Sequence, residues 1–141
     1  MRRPAPSARE EVIAAAVERS RALAGSGFPF DENAARRRAA AAHDRAHEPD
    51  GRIRQQAAVI ATVDRTPALR DLQVPTLVIH GTDDRLVDIS GGRAIAGAVP
   101  GAQLEIVEGM GHGIAPGAWT QIIKAVRRNA DRATTFPGDV R

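Results

Sequence analysis

The chain has 141 residues, enough for one domain, and no cysteine, which excludes disulfides and thiolate metal sites and fits a reducing cytoplasm. Its net charge of +3 arises in the first half, where residues 1–70 hold 13 bases against 9 acids while residues 71–141 hold 7 bases against 8 acids; a solvated helical surface accounts for this before an anionic partner does. No apolar run reaches the length of a membrane span, and Met1-Arg2-Arg3-Pro4-Ala5-Pro6 lacks the apolar stretch that follows the basic residues of a signal peptide.

The 43% hydrophobic content overstates the core. It includes 27 alanines, whereas Ile, Leu, Val and Phe together number 30 of 141. That is close to the roughly 20% level below which a chain struggles to bury a core. Alanine favours helix but buries little area.

In chain order, Ser7-Ala8-Arg9-Glu10 reads as a capping box opening a first helix. Val12, Ile13, Ala16, Val17 and Leu23 approximate its apolar stripe, and Gly25 and Gly27 stop it. Phe28-Pro29-Phe30 is an apolar break. Asp31 caps a second helix, rich in Ala and Arg, running to about His47. Pro49-Asp50-Gly51 is a turn signature. A third helix is expected over 52–63, with Ile53, Ala57 and Ile60 on one side. Thr66-Pro67 opens one further turn, with proline at the first helical position.

The character changes after residue 70. Val74 to His80 is a run of β-formers without polar alternation, as in a strand covered on both faces. A helix follows near 91–99, stopped by Pro100-Gly101, and then a strand over 103–107. A glycine-rich loop leads to a helix over about 116–129, with Trp119, Ile122, Ile123 and Val126 as its expected buried stripe. Strand, helix, strand, helix implies a parallel crossover of right hand. Two parallel strands alone do not make a stable sheet, so this half reads as the last part of a larger doubly wound fold. The last residues, with Thr134, Thr135, Pro137 and Gly138, read as a tail.

In open parallel sheets, functional groups gather beyond the carboxyl ends of the strands. Asp83 and Asp84 follow the first strand, and His112 follows the second in Gly109-Met110-Gly111-His112-Gly113. Neighbouring parallel strands put both loops on one rim. A carboxylate there can accept from one imidazole nitrogen and stabilise the imidazolium, leaving the other nitrogen to deprotonate a hydroxyl. His80 reads as a strand-end support for the acid loop. His43 and His47, four apart on one helix, have a metal-ligand spacing, but no further ligand motif lies near and no cofactor is expected. Arg36-Arg37-Arg38 point to different helix faces and read as solvated.

The motifs His80-Gly81-Thr82-Asp83-Asp84-Arg85-Leu86-Val87 and Gly109-Met110-Gly111-His112 resemble the acid and histidine loops of the α/β-hydrolases, whose chain order is nucleophile, acid, histidine. The resemblance implies Asp84 as the acid, with Asp83 ranked second, and His112 as the base. It also implies a partial α/β-hydrolase fold, a helical lid followed by a terminal β-α-β-α unit with parallel strands. The lid would be residues 1–70, the core piece 71–130 and the tail 131–141. The run from Gly27-Phe28-Pro29-Phe30-Asp31 through Arg54-Gln55-Gln56 to Asp64-Arg65-Thr66-Pro67 resembles the aclacinomycin methylesterase-like subgroup.

The departure from that pattern is the nucleophile. The serines are Ser7, Ser20, Ser26 and Ser90, none with glycine at both −2 and +2, so neither a Gly-x-Ser-x-Gly elbow nor a first oxyanion-hole segment is found. The expected function is a serine-type carboxylic ester hydrolase of which this chain carries the lid, Asp84 and His112. The isolated chain is expected to be inactive. Non-haem haloperoxidases and aminopeptidases share these parts. A small-molecule ester is the expected partner of the complete enzyme. A second reading is a non-catalytic or complementing subunit that docks on an amino-terminal hydrolase half. A third, a basic helical nucleic-acid-binding module over 1–70, has neither a helix-turn-helix pattern nor an aromatic stacking set behind it.

Overall fold

The computed structural model describes residues 8–45 and 51–134. The Ser7 end of the capping box, His47, the Pro49-Asp50 turn and the residues after Thr134 lie outside them. The described residues divide into two compact units, 8–22 with 30–63 and 23–29 with 64–134.

The first unit is helical. Helix α1 spans Ala8–Ala22, α2 Glu32–Arg45 and α3 Gly51–Ile60. The expected cap of α2 is present: Asp31 Oδ1 accepts from the Ala34 amide at 2.8 Å. Helices α1 and α2 pack together, and Ile13, Val17 and Ala35 are buried. Arg9 is forked onto Asp44 at 2.8 and 2.6 Å near one end of the pair, and Arg21 meets Glu32 near the other, so the helices run antiparallel. Arg36, expected in solvent, pairs with Glu10. Arg21 also lies 4.7 Å from the Phe30 ring centroid, a cation–π contact. The expected apolar side of α3 remains open, with Ile53 and Ile60 exposed. The helix ends at Ile60 rather than Val63, where Thr62 turns its hydroxyl onto the Ala58 carbonyl.

The second unit carries the sheet. Helix α4 spans Thr66–Arg70 with proline in its first turn, and Asp64 accepts from the Thr66 amide and hydroxyl. Strand β1, Leu77–Gly81, pairs in parallel with β2, Gln103–Val107, in the register Leu77 with Gln103 through Gly81 with Val107. Between them α5 spans Ile89–Ala98, and after them a 3-10 turn, Pro116–Ala118, leads into α6, Trp119–Thr134.

Three boundaries differ from expectation for physical reasons. Strand β1 starts at Leu77, not Val74, because Pro75 has no amide to donate; its carbonyl is taken by the Asn129 side chain at 3.1 Å. Helix α5 starts at Ile89 because Asp88 caps it, accepting from the Ser90 amide at 2.9 Å. Helix α6 runs past Asn129, where Arg132 reaches the Gly101 carbonyl at 2.6 Å.

The core is not the one periodicity suggests. Val107, Met110, Ala118 and Ile122 form its buried cluster, with Phe28 and Ile79 packed against it. Trp119 is 55% exposed, Ile123 50% and Val126 49%, so three of the four expected stripe residues face outward. The buried positions on α6 are Ile122 and Ala125, continuing from Ala118 in the turn before it. That helix meets the sheet with Ile122 in the core cluster and Ala125 fully buried beside it.

Candidate active site

The site lies beyond the carboxyl ends of β1 and β2. Parallel pairing brings Gly81 level with Val107, so the loops after them start side by side. They are stitched together: the Thr82 amide donates to the Val107 carbonyl at 3.1 Å, the Asp83 amide to the Met110 carbonyl at 3.0 Å, and the Gly109 amide to Thr82 Oγ1 at 2.8 Å. Gly81 is required by this closeness, since a Cβ there would overlap the Met110 carbonyl.

Asp84 divides its two oxygens. Oδ1 accepts from the Leu86 and Val87 amides at 2.8 and 3.0 Å. Oδ2 lies 2.9 Å from His112 Nδ1 and 3.8 Å from His80 Nε2. Only 8% of the Asp84 side chain is exposed, against 43% for His112. Burial pushes the Asp84 pKa up, but the Val87 amide, the His112 contact and the Leu86 amide outweigh it, so the carboxyl titrates below its ordinary value. An ionised Asp84 accepts a hydrogen bond from Nδ1–H, which directs the neutral ring to the tautomer with a bare Nε2.

His80 supports this loop, as its place at the strand end suggested. It is buried, and its Nε2–H donates to the Val87 carbonyl at 3.0 Å. Gly92 on α5 makes room for it, because a Cβ there would stand 2.6 Å from His80 Nδ1.

Asp83, the second-ranked acid, turns away from His112. Its Oδ2 accepts from the Ser26 amide at 2.8 Å and from the Ser26 hydroxyl. Of the other serines, Ser20 donates to the Ala16 carbonyl at 2.9 Å and Ser90 sits in the first turn of α5, while Ser7 lies outside the described residues. His43 has Nδ1 3.6 Å from Asp44 Oδ1. No group of three or more His, Cys, Asp or Glu is arranged to hold a metal among the described residues. None of their helices is long and apolar enough to cross a membrane.

A cavity of about 350 Å³ opens beside the pair, lined by Asp84, His112, Val78, Ile95, Met110 and Ile114 among others. It is a largely apolar hollow with a carboxylate-bound imidazole at its edge, a setting suited to an uncharged substrate and a proton shuttle. Sequence reasoning missed the contacts of Ser26, Thr82 and Asp88; Asp88-x-Ser90 was the available signal for the last, whereas the partners of Ser26 and Thr82 are distant in sequence.

Residues 7–116 match the family described as serine aminopeptidase, S33. The rhodomycin D methylesterase DnrP of Streptomyces peucetius is 32% identical over 105 residues, covering 74% of this chain and 35% of that protein. The non-heme chloroperoxidase CPO-A1 of Kitasatospora aureofaciens is 47% identical over 53 residues, 37% of this chain and 19% of that protein. Among solved structures, the esterase RhEst1 from Rhodococcus sp. ECU1013 superposes with a TM-score of 0.64 at 28% identity, covering 91% of this chain and 44% of that one. The chain thus spans less than half the length of each of these relatives.

Proposed function

Because the chain belongs to the serine aminopeptidase, S33, family of α/β-hydrolases, we propose that it carries the acid and the base of a serine-type carboxylic ester hydrolase. One observation supports this above the rest: Asp84 Oδ2 and His112 Nδ1 meet at 2.9 Å with the imidazole still 43% exposed. The half-open ring can face a substrate while its other side is held. The activities for which the methylesterase and the esterase are named favour an ester as the bond attacked.

In this reading a serine hydroxyl from outside the chain's own four serines attacks the ester carbonyl. His112 Nε2 takes the hydroxyl proton as the new C–O bond forms, and Asp84 stabilises the imidazolium. Backbone amides near that serine hold the oxyanion, and His112 then returns the proton to the departing alkoxide. A water repeats the cycle on the acyl-enzyme. Asp84, His112 and that serine form the triad, and the segment 1–70 supplies its lid. The absent thiols suit a cytoplasmic setting.

A complementing role, docking on an amino-terminal hydrolase half, is favoured by β1, which has β2 as its one strand neighbour among the described residues. Both readings meet in one experiment. The chain is co-expressed with a nucleophile-bearing amino-terminal half of a matched methylesterase and assayed on a p-nitrophenyl ester. Hydrolysis is expected only from the combination, and to vanish with His112→Ala. Turnover indifferent to His112→Ala sinks the catalytic assignment.

A further inference from the structure

The segment 23–29 leads in sequence from α1 to α2, yet it belongs to the second unit. There it forms a strap across the histidine loop. The His112 amide donates to the Leu23 carbonyl at 2.9 Å, the Gly111 amide to the Ala24 carbonyl at 3.1 Å, and the Gly27 amide to the Gly109 carbonyl at 2.8 Å. Backbone lies on backbone with no side chain between: a Cβ on Gly27 would stand 2.7 Å from the Gly109 Cα, and one on Gly111 would overlap the Leu23 carbonyl. Gly25 and Gly109 have φ of 80° and 68°, the left-handed region that favours glycine. Phe28 closes the far end by packing into the core cluster.

The polar fastening of this strap is Ser26 on Asp83. Its amide and hydroxyl both donate to Asp83 Oδ2. Hydrogen bonds from the Ser26 side chain and then its amide hold Asp83 below the usual carboxylate range, so the acceptor is charged at neutral pH. The neighbouring aspartates therefore face two ways, Asp84 to the imidazole and Asp83 to the strap.

We propose that Ser26 and Asp83 are positioning residues, latching the 23–29 strap onto the histidine loop so that the His112 ring stays on Asp84. The loop lies outside the regular helices and strands and carries a ring that must hold one hydrogen bond to about 0.5 Å to act as a base. The stitches from the acid loop reach it at Gly109 and Met110, whereas the strap holds Gly111 and His112 themselves. The functional weight of the latch rests on His112 being the base; its mechanical effect does not.

The test uses the full chain, labelled with ¹⁵N. Amide exchange is read at Gly27, Gly111 and His112, and the imidazole ¹⁵N signals of His112 are followed with those of His80 as an internal control. Ser26→Ala is expected to speed exchange at these amides about ten- to hundredfold, the factor carried by a hydrogen bond to a charged acceptor. It should also move the His112 ring away from the single Nδ1–H tautomer while leaving His80 unchanged. Ser26→Thr, which keeps the hydroxyl, should restore both readouts. Exchange and ring signals that stay at wild-type values in a folded Ser26→Ala chain overturn the proposal. Should that variant not fold, Asp83→Asn, which removes the charge and keeps one acceptor, carries the same two outcomes. In the complemented esterase the latch variant should lower kcat with KM held. If exchange responds but His112→Ala leaves turnover intact, the functional reading falls and the latch stands. If Asp84→Asn alone disturbs the ring, the latch falls and the functional reading stands.

Discussion

Asp84 holds His112 with one carboxylate oxygen at 2.9 Å across 28 residues of sequence, while its other oxygen is fixed by two amides of its own loop. The two amides fix the plane of the carboxylate, so that its second oxygen faces the imidazole.

Asp84→Asn preserves shape but places an amide against Nδ1 or against the Leu86 and Val87 amides, and either choice loses a bond. The opposite tautomer of His112 then becomes favoured. In the complemented esterase, kcat should fall by about 10³–10⁴-fold with a smaller change in KM, the pattern of a triad that has lost its acid. Steady-state kinetics on an activated ester check this; a loss under tenfold removes Asp84 from the mechanism.

Gly92→Ala presses on the buried ring of His80, because the added carbon would stand 2.6 Å from Nδ1. The ring must leave the Val87 carbonyl or α5 must shift. Either should cost about 1–3 kcal/mol of stability, the range of an overpacked contact or an unpaired buried acceptor. Urea unfolding of the two proteins side by side measures it, and unchanged midpoints refute the supporting role of His80.

On α6, Ile122→Ala and Trp119→Ala should part company. Ile122 is 8% exposed within the core cluster, and its truncation should cost about 2–5 kcal/mol. Trp119 is 55% exposed, and its loss from this chain should stay within about 0.5 kcal/mol. Equal losses in chemical denaturation would mean that the helix buries a different face.

Acid should loosen the site in a defined direction. Asp83, Asp84 and Asp88 all titrate below the ordinary carboxylate value in the fold. A depressed pKa gives stability that is complete above the unfolded value of about 3.9 and is lost as pH falls through the folded values. Stability at pH 7 and pH 5 should therefore match as far as these three groups go, with the decline setting in near pH 4 and continuing below it. His112 amide exchange against pH, compared with the same profile for Asp84→Asn, isolates the contribution of the pair.

Much of this was legible in the chain. The strand over Gln103–Val107 and the cap at Asp31 follow from local preference, and both are where expected. The core was harder to read. Trp119, Ile122, Ile123 and Val126 and the alternative Ala118, Ile122 and Ala125 have nearly the same period, and hydrophobicity favours the first set. The fold buries the second set, with Ile122 common to both, because burial is decided by what packs against the helix and not by its own period. The strap was invisible for another reason: Gly25-Ser26-Gly27 reads locally as a helix stop, and nothing within it says that its partners are 57 residues away at Asp83.

By itself the sequence determined the order of elements and the presence of an acid and a histidine after successive strands, because turn chemistry and β-propensity act over a few residues. The motif already ranked Asp84 above Asp83 by resemblance, but only the tertiary structure supplied the physical reason that Asp84 meets the imidazole. The directions of the two aspartates depend on the amides of Leu86 and Val87 on one side and the hydroxyl of Ser26 on the other. Those partners exist as partners once parallel pairing has brought two loops and a strap to the same rim.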